Sequence, residues 1–250
     1  MAAGFVQGAG QTASGAVTSV SRAFVSNVTA GNAIIVAISV DSIADIISGV
    51  TDNLGNTYTR RIRIPSDSLV STYIYEALNI IGGACTVTVN LSSADYVAIG
   101  IAEASGLPTA AAIDVSSGAF GTSTAAQTNL TTTDTDIIFG VVGVQASAAI
   151  TPDTGWTQIY EQESYVDMTI NFMYRIGAAG AYTAAWTNSA VKWSCSAAAY
   201  KPAGGAAVAL AGLASVVSVA TAAASVLKNL VGGASVVSVA TAAASVLKNL

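Results

Sequence analysis

The sequence contains no histidine, and charged side chains make up only 9% of its 250 residues. Histidine is the commonest general base and metal ligand, so its absence excludes Ser–His–Asp catalysis and histidine-based metal sites. Asp and Glu together number 14 against 9 for Lys and Arg, which gives a net charge of −5. Because nucleic-acid binding needs clustered basic side chains, we expect no nucleic-acid partner.

Positive charge is concentrated in one stretch that holds Arg60, Arg61 and Arg63. The stretch has the composition of a strand, in which successive side chains point to opposite faces. Arg61 and Arg63 are therefore expected to share one face. We interpret that face as exposed to solvent rather than as a binding patch.

Only two cysteines are present, Cys85 and Cys195, and neither belongs to a CxxC motif. Without that motif or any histidine, a zinc site is not expected. The thiols either form a disulfide in an oxidising compartment or remain as small buried side chains, and both alternatives stay open here. We expect no cofactor.

A candidate calcium loop lies at Asp52–Thr57, where the sequence DNLGNT supplies oxygen ligands around a glycine. It lacks the dense acidic series and the closing bidentate glutamate of a strong calcium site. The segment separates two apolar runs, and Asn and Gly both accept positive φ. We therefore predict a hairpin turn, with calcium binding as the alternative.

From residue 4 to about residue 203 the chain alternates short apolar runs with turn residues. β-Branched and aromatic residues dominate these runs, and they show no helical period. This spacing predicts an all-β fold, a β-sandwich or jelly roll, in one domain over 1–203. The predicted strands are 32–40, 47–52, 57–64, 71–78, 85–91, 96–104, 136–145, 168–176 and 193–201.

The composition changes at residues 201–205, KPAGG, because proline cannot continue a β-ladder and paired glycines loosen the chain. Beyond this point the tail, residues 204–250, consists mainly of Ala, Val, Ser, Leu, Thr and Gly. The segment ASVVSVATAAASVLKNL occurs at 214–230 and again, unchanged, at 234–250. A repeat that cannot bury its apolar side chains alone predicts packing against further copies.

Two secondary structures compete most closely for the tail. As a strand, it places Val217, Val219 and Leu227 on one face and small apolar residues on both, as in strands covered on two sides. As a helix, its apolar residues recur at helical spacing, which would give a helical hairpin. We prefer strands and keep the hairpin as the alternative.

A membrane span is the third interpretation of the tail. Residues 206–227 carry no charge over a length that would cross a bilayer. However, polar residues and glycines interrupt this window, and an aromatic belt and a flanking basic cluster are missing. We therefore do not expect a membrane partner.

The large apolar side chains of the two repeats are the residues that we predict to form an interface between subunits. A monomer would leave them as exposed apolar surface, which soluble proteins rarely keep bare. Self-association into an oligomer or filament would bury them. The predicted interface residues are Val216, Val217, Val219, Leu227, Leu230, Val236, Val237, Val239, Leu247 and Leu250.

Aromatic side chains give a second candidate site. Trp156 follows a turn and Tyr160 lies shortly after it, so the pair is a candidate platform on which a sugar could stack. Trp193 and Cys195 alternate on one strand face and are predicted to lie in the core. A glycan is therefore an alternative partner.

Paired carboxylates are the remaining route to catalysis. Glu161 and Glu163 share one strand face, as a glycosidase pair would. Nothing in the sequence around them indicates burial or a perturbed pKa. We therefore predict that the protein is not an enzyme.

Both parts of the chain resemble phage and prophage structural proteins. The tail is similar to repeats of about twenty residues that open with Leu-Ala-Gly, here LAGLASVVSVATAAASVLKNL at 210–230. The second unit departs from that pattern at Val231 and Gly233. The first domain is similar in style to β-sandwich modules of the same proteins, through AGNAIIVAISVD, VTDNLGNTYTR, TGWTQIYE and AAAYKPAGG.

This resemblance implies a non-enzymatic structural protein that assembles into a particle or filament, such as a capsid decoration, fibre or appendage subunit. Its expected partners are further copies of itself and other virion proteins, and its expected location is the virion or an extracellular surface. The first residues, MAAGFVQGAGQTASG, lack a basic segment followed by an apolar run, so no signal peptide is expected. The alternative hypothesis is a carbohydrate-binding or adhesin module that the tail anchors or oligomerises.

Overall fold

A computed structural model describes residues 1–145, 149–163 and 168–204. In this part of the chain all helices and strands that could be assigned are β-strands, β1 to β14. These residues belong to one compact unit that ends at Gly204. The prediction of an all-β sandwich is confirmed. The strands are β1 (Gly4–Thr12), β2 (Val17–Ala23), β3 (Ala33–Val40), β4 (Ile47–Asp52), β5 (Thr59–Pro65), β6 (Ser71–Ala77), β7 (Thr86–Asp95), β8 (Val97–Ser105), β9 (Ile113–Thr132), β10 (Asp136–Val144), β11 (Thr151–Pro152), β12 (Thr157–Glu163), β13 (Thr169–Gly177) and β14 (Gly180–Tyr200).

The strands pair antiparallel in three sheets. The outer sheet has the order β2-β7-β4, and the middle sheet has the order β1-β8-β3-β6-β5. The third, which we call the ribbon sheet, has the order β11-β14-β10-β13-β12, with β9 beside β14. The two longest strands of the protein, β9 and β14, therefore pair with each other.

Alternating side chains of the central strands separate the apolar cores. In β3, Ile34, Val36 and Ile38 pack against the outer sheet. Ile35 and the residues two positions before and after it point the other way and pack against the ribbon sheet. The side chains of β10 alternate in the same way. Phe139 lies in the core between the middle and ribbon sheets, which we call the middle core, and Ile138 lies in a third core on the other face of the ribbon sheet. Both strands are buried along their whole length, because each has a layer on either face.

Nine predicted strands are confirmed. Eight of them have ends that shift by at most a few residues, and the ninth, 193–201, is the second part of the longer β14. Strands β1, β2, β9, β11 and β12 were not predicted, and neither was the first half of β14. Strands β1, β2 and β9 and the first half of β14 are rich in Gly, Ala, Ser and Thr and carry little of the apolar alternation that marks a strand, while β11 and β12 are short and mostly polar. Pairing with an apolar neighbour, rather than their own composition, makes them strands.

Strand β9 is folded in half. At about 3.3 Å per residue, its twenty residues would span roughly 66 Å if straight. Instead, Asp114 at its start contacts Thr133, directly after its end, through hydrogen bonds of 2.6 and 2.8 Å. Halfway along, the Ser117 and Thr128 hydroxyls are also 2.8 Å apart.

The corner of this fold lies where β9 and β14 lose their register, between Thr187 and Val191 of β14. Beyond the corner, residues 125–132 and 180–187 form a two-stranded segment, which we call the flap. The flap covers the open face of the ribbon sheet, and the third core fills the space between them. One ribbon thus supplies both a sheet and its cover.

The middle and ribbon sheets lie close together where β8 crosses β13. A Cβ placed on Gly100 would lie 2.6 Å from Cδ1 of the fully buried Phe172. We expect Gly100→Ala to lower the free energy of unfolding by about 1–3 kcal/mol, because overpacking forces neighbours out of their rotamers. Gly49→Ala in β4 is the matched control, since a Cβ there meets nothing within 4 Å. Urea denaturation of both variants tests this, and equal effects would contradict the sheet packing.

Candidate functional site

The ten predicted interface residues, Val216, Val217, Val219, Leu227, Leu230, Val236, Val237, Val239, Leu247 and Leu250, lie outside the described residues. The same holds for the strand, helix and membrane interpretations of the tail. These interpretations therefore stay predictions. The residues that lead into the tail, up to Gly204, are described.

Charged side chains cluster beside the end of β14. Lys201 places its Nζ 3.2 Å from Oδ1 of Asp114 on β9. Its backbone N–H donates to the carbonyl of Ala112 at 2.8 Å, and the N–H of Ala203 donates to the carbonyl of Gly106 at 2.6 Å. The chain is thus held to neighbouring segments just before the tail begins.

Asp114 is the centre of this cluster. Its carboxylate accepts hydrogen bonds from the backbone N–H and the hydroxyl of Thr133, and its side chain is only 5% exposed. Burial alone would raise the pKa of Asp114, but hydrogen bonds from Thr133, Lys201 and Asp136 outweigh it and lower that pKa. Asp114 is therefore an anion that ties the two ends of the folded ribbon together.

Asp136, the first residue of β10, lies beside Asp114 and is fully buried. Among the described residues, no N–H or O–H group donates to either of its carboxyl oxygens. Burial, a hydrogen bond with Asp114 and the charges of Asp114 and Asp134 raise the pKa of Asp136 to about 7, against a smaller opposing effect of Lys201. Asp136 therefore favours its protonated form more than an exposed aspartate does. We call Asp114, Thr133, Asp136 and Lys201 the latch.

No local pattern in the sequence predicts the latch. Asp114 and Lys201 are 87 positions apart (201 minus 114), and neither lies in a motif that predicts an ion pair. The pairing of β9 with β14 shifts by one residue between Ala199 and Tyr200. As a result, Asp114 has no paired residue on β14. The two ends of β9 meet only because the ribbon folds.

The prediction that Arg61 and Arg63 share one face is wrong. The β5–β6 ladder shifts by one residue between Arg60 and Ile62, so Arg61 is the extra residue of a β-bulge. As a result Arg60 and Arg63 lie on the same side, and both reach Asp45, at 2.7 and 3.7 Å. The arginines are therefore engaged by carboxylates on two different faces.

Arg61 turns to the other face and forms an ion pair with Glu76, whose side chain is 1% exposed. The bond joins Nη2 of the arginine to Oε1 of the glutamate. A buried carboxylate without such a partner would be strongly unfavourable. Arg61 is thus a structural residue of the core between the middle and ribbon sheets rather than part of a solvated patch.

A turn follows Asp52 as predicted, but it is not a hairpin, because β4 pairs in the outer sheet and β5 pairs in the middle sheet. Oδ1 of Asp52 accepts hydrogen bonds from the N–H groups of Leu54, Gly55 and Asn56 at 2.8–3.1 Å. Oδ2 accepts from the Asn56 amide and the Tyr58 hydroxyl, both at 2.8 Å. The carboxylate that calcium would require is therefore already satisfied by donors of its own loop.

Cys85 and Cys195 are both free and buried, so the disulfide alternative is wrong and the buried-thiol alternative is confirmed. They belong to different cores, Cys85 between the outer and middle sheets and Cys195 beneath the flap. Burial raises the pKa of each thiol to about 12. At neutral pH both remain thiols rather than the thiolates that react or bind metals.

Trp156 and Tyr160 pack against different cores. The indole of Trp156 lies on the third core and donates to the carbonyl of Thr183 in the flap at 3.0 Å. Tyr160 packs on the middle core, and its hydroxyl lies 3.2 Å from that of Thr12. The structure does not bring the two rings together, and the glycan alternative stays an untested prediction. Trp193 and Cys195 share the third core, as expected.

One member of the predicted carboxylate pair, Glu161, also has a structural role. Oε1 of Glu161 accepts a 2.6 Å hydrogen bond from the backbone N–H of Ile150. The side chain of Glu163 lies outside the described residues. Glu161 therefore holds the segment before β11 against β12.

Within residues 1–145, 149–163 and 168–204, no three His, Cys, Asp or Glu side chains gather as metal ligands. In the same part of the chain, no helix has the length and apolar character needed to cross a membrane. No protein-family model, curated protein or solved structure matches this chain. The fold and the latch are therefore interpreted from their geometry alone.

The Arg61–Glu76 ion pair provides a test of the β-bulge at Arg61 in β5. Arg61→Met leaves Glu76 buried without its cation, and we expect the free energy of unfolding to fall by about 3 kcal/mol. The double variant Arg61→Met, Glu76→Gln should recover most of this loss. Arg60→Met is the matched control and should cost under about 1 kcal/mol, because its partner Asp45 is 42% exposed. Equal costs at positions 60 and 61 in chemical denaturation would contradict the bulge.

Proposed function

We propose that this protein is a non-enzymatic structural subunit that self-assembles into a particle or filament through its tail. The phage-like sequence style makes a virion component, such as a capsid decoration, fibre or appendage subunit, the specific form of the proposal. One observation carries it, the unchanged repetition of ASVVSVATAAASVLKNL at 214–230 and 234–250. A catalytic or ligand-binding role gives no reason for two identical copies, whereas packing between like surfaces does.

The magnitude of apolar burial supports association. Burial contributes about 25 cal/mol per Å², and an interface of roughly 2,000 Å² is the size of permanent assemblies. Association costs an estimated 4–15 kcal/mol in lost freedom of motion, and ordering of side chains costs more. The two repeats have Lys228 and Lys248 as their only charges, so little charge has to be desolvated.

The first domain supports the proposal in a different way. Its three apolar cores are formed by side chains of residues 1–204 themselves. Few charged residues are available for its surface. A self-contained domain joined to an apolar repeat is the organisation expected of a displayed module on an assembled stem.

We expect Val219→Asp with Val239→Asp to abolish assembly, because two charges would enter the packed surface at equivalent positions. The variant Asn229→Asp with Asn249→Asp adds the same charge at polar positions and should still assemble. Sedimentation velocity and negative-stain microscopy, without detergent, measure the assembly. Circular dichroism should show the β-domain folded in both variants.

A truncation after Gly204 provides the second arm of this test. It should be a folded monomer, while the full chain forms defined oligomers or filaments. Full-length protein that is monomeric, or assembly that survives the Val219 and Val239 changes, would contradict the proposal.

A further inference from the structure

We propose that the outward edge of β9 from Val115 to Ser123 pairs with the same edge of a second copy of this chain. The two edges would run antiparallel about a two-fold axis, so that two ribbon sheets join into one. This interface lies in the first domain, and it is separate from the proposed contact between tails. Its regular length, its lack of charge and the exposure of Phe120 support it.

Strand β9 is the last strand on one side of the ribbon sheet. In the described part of the chain it pairs with β14 alone. In an antiparallel ladder alternate residues turn both backbone groups toward the partner strand, and the residues between them turn both groups away. About half of the backbone N–H and C=O groups of residues 115–123 therefore point outward, and no other strand among the described residues pairs with them.

The other edge strands are interrupted, whereas this one is not. Each of the edge strands β1, β2, β4, β5 and β12 contains a shift in register. Such β-bulges twist an edge away from further pairing. The longest regular stretch that they leave has six residues, Gln7–Thr12 of β1. In β9 the shifts lie at Asp114 and at the corner, so the nine pairs from Val115 to Ser123 are regular.

Charge and proline are also missing from this edge. Residues 115–132 contain neither, whereas β5 carries three arginines and a proline, and β12 carries Glu161 and Glu163. Charged residues and prolines are devices that keep edge strands from pairing with one another. A two-fold axis places the same surface on both sides of the contact, so a charge on the edge would face a like charge. An uncharged edge avoids this repulsion, which favours a second copy as the partner.

Phe120 indicates the register of the pair. Its side chain is 53% exposed although it lies within the regular edge. Gly118 is on the same face, and a Cβ on it would overlap Ile64 of β5. With Ala119 on the two-fold axis, Phe120 of one copy lies opposite Gly118 of the other and covers the position that lacks a side chain. An aromatic residue across from an edge glycine is a favourable pair.

The same register uses the whole regular edge. With Ala119 on the axis, Val115 lies opposite Ser123 of the second copy, and Ser116 lies opposite Thr122. About eight hydrogen bonds can then form between the two strands. Main-chain hydrogen bonds of this kind provide the affinity when a strand is added to a sheet edge.

Disulfide trapping in the full-length protein tests this register. Ser116 and Thr122 are both exposed, and opposite residues of paired strands have Cα atoms close enough for a disulfide. Within one chain the two positions are roughly 20 Å apart along the strand, so they cannot join each other. We expect Ser116→Cys with Thr122→Cys to form a covalent dimer with oxidised glutathione, and either single variant to form almost none. Non-reducing electrophoresis and intact mass measure the dimer.

Two lysine variants in the double-cysteine protein supply the matched comparison. Phe120→Lys brings two like charges together across the axis and should lower the yield of covalent dimer by about tenfold. Ile176→Lys adds the same charge on β13, at an apolar side chain that is 45% exposed, and should leave the yield unchanged. Circular dichroism should show both variants folded.

The tail variants separate this interface from the proposed assembly. The covalent dimer should still form when Val219→Asp and Val239→Asp are added, because the edge belongs to the first domain. A dimer without tail-dependent filaments would support the edge and contradict the assembly proposal. Absence of the dimer in the double-cysteine protein, equal dimer in the single-cysteine variants or its loss with the tail changes would overturn the edge proposal.

A measurement on the unaltered protein covers the case in which the cysteine variants do not fold. Amide hydrogen exchange within residues 115–123 should slow as protein concentration rises, because outward N–H groups gain partners. The amides of β12, an edge strand with a bulge, should show no such change. Exchange in residues 115–123 that does not depend on concentration would overturn the proposal.

Discussion

The long antiparallel ladder between β9 and β14 is the constraint on which the third layer of the protein depends. Because the second half of β14 also pairs with β10, the ladder is fixed to the ribbon sheet. The ladder continues past the corner, so its other half has to pack against another surface. It packs against the apolar face of β10 and β13, where Trp186 and Leu130 become buried. The folded ribbon removes an exposed apolar face without an additional sheet or helix.

Three fully buried carboxylates show how this fold deals with charge that it cannot expose. Glu76 has the cation of Arg61. Glu103 accepts hydrogen bonds from Gln7, the backbone of Thr29 and Asn32, at 2.6–2.8 Å. Asp136 has neither a cation in contact nor a donor among the described residues, and burial raises its pKa to about 7. The cost of burying a carboxylate is thus offset by a cation at Glu76 and by neutral donors at Glu103, and at Asp136 it raises the pKa.

Local pattern was sufficient where a segment carried its own apolar period. The runs around Ile35, Ile74, Ile101 and Phe139 are rich in β-branched and aromatic residues, and each is a strand within a few residues of its predicted bounds. The pattern failed for β9, whose Ser, Thr, Gly and Ala residues read as a loop. It failed again at Arg61, where one inserted residue reverses the faces. Strand pairing and bulges are settled between segments, so no window of sequence contains them.

Composition and local period alone predict an all-β protein with little charge and without histidine chemistry, and they reveal the exact repeat of 214–230 at 234–250. These follow from composition and local period, which need no knowledge of neighbours. The packing of distant segments, in contrast, keeps Cys85 and Cys195 apart, directs Trp156 and Tyr160 to different cores and places the buried Asp136 beside Asp114. The physical reason is that burial and proximity depend on which distant segments pack together.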